Sequence, residues 1–73
     1  MEQSGLMEPT AWIESFAAEL GVEAPDQATI DVLLDLAGVA AHASQRVAAP
    51  IAAYLVGRAG LSAEAALDLA RRI

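Results

Sequence analysis

Residues 30–43 read Ile-Asp-Val-Leu-Leu-Asp-Leu-Ala-Gly-Val-Ala-Ala-His-Ala, and no other stretch constrains the fold as tightly. Laid on a helix, Ile30, Leu33, Leu34, Ala37 and Ala41 form one apolar stripe. Val32, Leu36, Val39 and Ala43 form a second stripe beside it. What remains is a narrow polar line of Asp31, Asp35, Gly38, His42 and Gln45. A helix apolar over so much of its circumference has to be surrounded, so the rest of the chain is expected to pack around it. Its span is predicted as Ala28 to Ser44, capped by Asp26 or Thr29. Gly38 on the polar line weakens it by about 1 kcal/mol relative to alanine and suggests room for another backbone.

The flanking segments supply three further helices. Pro9 and Thr10 open the first, with Thr10 read as its N-cap and Glu14 near the positive end of its dipole. Ile13, Phe16, Ala17 and Leu20 share one face, and Gly21 stops the helix. Val22 to Gln27 is a loop. Pro50 disfavours helical geometry at Ala49, so the second helix is expected to end or bend before it and the third to begin near Pro50. The third presents Ile51, Ala52, Leu55 and Ala59 on one side and Tyr54 on another, and Gly57 and Gly60 close it. Ser62 caps a fourth helix, with Glu64 in its first turn, Arg71 and Arg72 in its last, and Leu61, Ala65, Leu69 and Ile73 toward the core. No segment alternates like a strand. The expected fold is all-α, a small four-helix domain around its second helix, spanning 1–73 with a frayed start over 1–8.

Length sets the energetic problem. A 73-residue chain buries only about 60% of its unfolded surface. It has no cysteine, so no disulfide can compensate, and its single histidine cannot build a metal cluster with thiolates. Yet 56% of its residues are hydrophobic, many of them alanine. An apolar excess without a covalent staple favours burial against a second copy, and a homodimer through Ile51, Leu55 and the neighbouring alanines is expected. Charge is divided as well. Residues 1–35 hold eight acids and no base, a charge of -8, whereas residues 36–73 hold two acids against four arginines, a charge of +2. Such halves suit head-to-tail pairing or a basic partner, and the simple alternative is a solvated acidic face. Bulk charge disfavours nucleic acid and anionic lipid. No apolar run reaches a membrane span, and Met-Glu-Gln-Ser-Gly is no signal-peptide start, so the cytoplasm is the expected location.

Several constellations invite a chemical reading and fail it. Asp31 and Asp35 lie one turn apart, but His42 is roughly 10 Å further along the helix, too far to share their ion. His42 lacks an adjacent nucleophile and an orienting carboxylate. No serine stands in the Asp-Ser-Leu setting of an acyl carrier protein. Ala59-Gly60-Leu61-Ser62 matches the turn of a helix-turn-helix DNA reader. The helix after it opens Ala63-Glu64-Ala65-Ala66, which offers no donor to a base edge and puts acids against phosphates. Gly57-Arg58-Ala59-Gly60 matches the GxxG of KH domains by letter only, with no strands around it. No catalytic, cofactor-binding or metal-binding residue is therefore expected.

Leu34-Asp35-Leu36-Ala37, Ala41-His42, Arg46, Ala48-Ala49-Pro50 and Tyr54-Leu55-Val56-Gly57, with Trp12 to Gly21 before them, carry a family likeness. Through them the chain resembles a small actinobacterial helical domain of unknown function. That domain is found alone or at the C-terminal end of molybdopterin-guanine dinucleotide biosynthesis proteins. The resemblance implies a non-catalytic accessory or protein-interaction module beside molybdenum cofactor synthesis, without a cofactor of its own. A helix-turn-helix-like regulator is the alternative. His42, Arg46 and Tyr54 are the expected partner-binding residues, since arginine and tyrosine are common interface anchors. The competing account makes His42 and Arg46 caps of a helix C-terminus and Tyr54 a core residue with its hydroxyl at the surface.

Overall fold

A computed structural model describes residues 8–73. Among them lie α1 (Pro9–Leu20), α2 (Gln27–Ala43), α3 (Ala48–Ala59) and α4 (Ala63–Arg71), with no strand. The all-α, four-helix expectation holds. The frayed start expected for 1–8 falls outside the described residues except at Glu8.

The helix ends follow local chemistry, with two displacements. Glu8, in extended geometry, precedes α1, and Pro9 occupies the first turn. Thr10 is therefore inside the helix rather than its N-cap: proline's fixed φ is already helical, and the cap falls two residues earlier, at Glu8. Glu14 falls beyond the first turn, away from the positive end of the dipole. At the other end Gly21 turns left-handed with φ 77°. Its N–H donates to Ala18 at 3.1 Å and the Val22 N–H to Ala17 at 3.0 Å, satisfying two terminal carbonyls. The second displacement is at α3, which begins two residues ahead of Pro50 and includes Ala49. The first four N–H groups of a helix have no intrahelical partner, so a proline in third place removes nothing. Gly57 lies within α3, and Gly60, with φ 72°, ends it.

Asp26, not Thr29, caps α2: its carboxylate accepts from the Thr29 N–H at 2.9 Å. Hydrogen bonds from Thr29, its side chain first and its backbone N–H second, hold Asp26 below the usual carboxylate range. A depressed folded-state pKa stabilises the fold above the unfolded value, about 3.9, and that contribution disappears as pH falls through the folded value. Asp26→Asn retains an acceptor but cannot titrate. Wild type should lose stability relative to Asp26→Asn as pH drops below about 4, read as urea midpoints at each pH. A difference in midpoint that stays constant with pH would contradict this assignment.

α2 is the hub, packing against both α3 and α4. The core is small. Leu36, Ala66 and Leu67 are buried together, with Val32, Leu33, Val39, Val56 and Ala70 packed partly around them. The second stripe of α2 thus faces inward, while Leu34 of the first is exposed. On α4 the buried face is Ala63, Ala66 and Leu67, with Ala70 half-buried, in place of the expected Leu61, Ala65, Leu69 and Ile73. Ser62 caps the helix through the Ala65 N–H at 3.1 Å. From there, spacings of three, one and three stay on one face, whereas steps of four drift by roughly 40° each. On α1 only Ala17 of the expected face is buried; Phe16 and Leu20 are exposed. At Gly38 an added Cβ would meet nothing within 4 Å, so no backbone approaches it closely among the described residues.

Candidate functional site

The three residues expected to meet a partner occupy different settings. His42 sits exposed in the last turn of α2, beside the carbonyl end of the helix dipole. Arg46 is exposed in the connection between α2 and α3, beyond the α2 terminus, and its carbonyl accepts from the Ala49 N–H at 3.1 Å. Tyr54 is 63% exposed, so it does not fill the core. It is two residues from Ala52 and from Val56, which are half-buried, and helical spacing puts it on the opposite side of α3. Arg46 and His42 therefore share one corner, whereas Tyr54 stands about 9 Å along α3 from its start and turned outward. None of the three enters a side-chain hydrogen bond among the described residues. Asp31 is engaged by Gln27, whose amide donates to it at 2.9 Å along the exposed line of α2. Among the described residues no three histidine or acidic side chains gather around one point.

A second feature escaped the sequence reading. α3 and α4 both lean on α2, leaving an apolar groove of about 280 Å³ between them. Leu36 is its floor; Leu55 and Ala59 of α3 form one wall and Leu69 of α4 the other, with Leu61 of the connection beside them. A neighbouring hollow of about 230 Å³ shares Leu36, Ala52, Ala70 and Ile73 and continues the apolar surface toward Ala43 and Ser44. Small-molecule sites run to about 300–1,000 Å³ and place several polar groups around the ligand. The α3–α4 groove is lined by apolar residues alone. Its rim carries Leu55 at 57% and Leu69 at 45% exposure.

α1 carries an apolar feature of its own. Trp12 and Phe16 stack with ring centroids 4.9 Å apart at 28°, both about half exposed, and Leu20 continues the row one turn on. Their spacing of four residues was visible in the sequence; their exposure was not, because alanine at position 17 takes the buried place. Among the described residues no helix is long and apolar enough to cross a membrane.

The family model of DUF6457, a domain of unknown function, matches residues 6–73, and the chain belongs to that family. No curated protein and no solved structure matches it.

Proposed function

We propose that this DUF6457 member is a non-catalytic protein-interaction module acting in the cytoplasm, accessory to molybdenum cofactor synthesis. The observation that carries the reading is where its large apolar side chains stand. Trp12, Phe16, Leu34, Ile51, Leu55 and Tyr54 are all about half exposed or more, while three of the five buried core residues are alanines. Large apolar side chains left bare in such number, with so few buried, are a usual mark of a partner site. The likeness running from Leu34 to Gly57 supports a molybdopterin-guanine dinucleotide biosynthesis protein as that partner. His42 and Arg46 form the polar corner of the surface, with Tyr54 further along α3. The alternative, DNA binding through α3 and α4, has less behind it: Glu64 and Asp68 stand exposed on the helix that would enter the groove.

Affinity capture of molybdenum cofactor proteins from the native cell tests the reading. Arg46→Ala should reduce capture several-fold with a nearly unchanged melting temperature, since the side chain is exposed. If Arg46→Ala lowers the melting temperature by many degrees while its folded fraction still captures the same proteins, Arg46 is structural and the proposal fails. Capture dominated by DNA in place of protein would favour the regulator.

A further inference from the structure

The geometry points to a reciprocal dimer in which α1 of each copy lies in the α3–α4 groove of the other. The inference deepens the interaction-module reading by naming a second copy as the partner at this groove.

Three observations converge on that occupant. The first is fit. α1 and α3 are both twelve residues long, about 18 Å, so the helix matches the wall it would lie against. Trp12, Phe16 and Leu20 recur every four residues, the anchor spacing of a helix seated in a groove.

The second is charge. Glu8 and Glu19 flank Trp12 and Phe16 at helical spacing. Arg58 follows Leu55 by three residues and Arg72 follows Leu69 by three, while Glu64 follows Leu61 by three, so the basic charge beside the groove lies along α3 and at the end of α4. The acidic half of one copy thereby meets the basic half of the other, twice over in a two-fold pair.

The third is area. A half-exposed aromatic or leucine side chain still shows on the order of 100 Å². The α1 row together with Leu55, Leu61 and Leu69 of the groove offers roughly 600 Å² per copy, at the lower edge of the about 600–1,000 Å² per partner of a standard interface.

The test uses the full chain and its single tryptophan, Trp12. Light scattering across a concentration series should give twice the 7.5 kDa chain mass at high concentration, with Trp12 emission shifting to the red on dilution as the helix leaves the groove. Leu69→Glu spoils the groove and Phe16→Glu spoils the row. Both positions are exposed, so circular dichroism should report intact helices while each variant alone stays monomeric. Mixed, they should form a heterodimer, because the intact α1 of the first fits the intact groove of the second. A dimer in which like surfaces meet would not be rescued by mixing.

A wild-type monomer at every concentration overturns the proposal. So does a dimer whose dissociation leaves Trp12 emission unchanged, or one that mixing the variants fails to restore. If either variant unfolds, the wild-type mass and emission series decides alone. Arg46 lines neither hollow, so the result of capture through it is read separately from the dimer.

Discussion

Leu36→Ala is expected to leave the chain largely unfolded at 25 °C. Leu36 is 3% exposed and is the side chain on which α2 meets both α4 and the floor of the α3–α4 groove. Truncating a buried leucine removes its transfer free energy and leaves a cavity, a loss of about 2–5 kcal/mol. A domain of this length seldom holds more than about 3–5 kcal/mol in total. The two quantities are of the same size, so one substitution consumes most of the stability. Far-UV circular dichroism with urea titration measures it. Leu36→Met, which conserves volume, should cost under about 1.5 kcal/mol and keep cooperative unfolding, tying the effect to packing volume and not to the position as such. A Leu36→Ala protein that unfolds cooperatively near the wild-type midpoint would contradict the core as described.

How far the sequence could be read follows from which features are local. The apolar periodicity of α2, the left-handed Gly21 and the Ser62 cap depend on near neighbours in sequence and were legible, whereas Asp26 and Thr29 stood as alternative caps and Gly57 and Gly60 as joint closers of α3. Which face of α4 turns inward was not. Ala63, Ala66 and Ala70 make as good an apolar row as Leu61 and Leu69 when only residue types are counted. The small row wins because it brings α4 close to α2, and the larger residues are left to line the groove. The start of α3 was misplaced because the rule against helix before proline weakens inside a first turn. The site shows the same division. His42 in the last turn of α2 could be anticipated from spacing, but the outward side of Tyr54 and the groove itself arise between helices, beyond the reach of periodicity.

In the proposed dimer, α2, α3 and α4 form one cooperative unit and α1 is held lightly until another copy receives it. Among the described residues α1 buries only Ala17 and packs extensively against no other helix. Regions with few buried apolar contacts open locally, at free energies far below global unfolding. Native-state amide hydrogen exchange resolves the two cases residue by residue. At low protein concentration the amides of Leu33 to Val39 should exchange only through global opening, and those of Ile13 to Ala18 orders of magnitude faster. Raising the concentration should slow α1 selectively, because its protection comes from association. Equal protection of α1 and α2 at every concentration would contradict the account, since α1 would then belong to the core of a single chain.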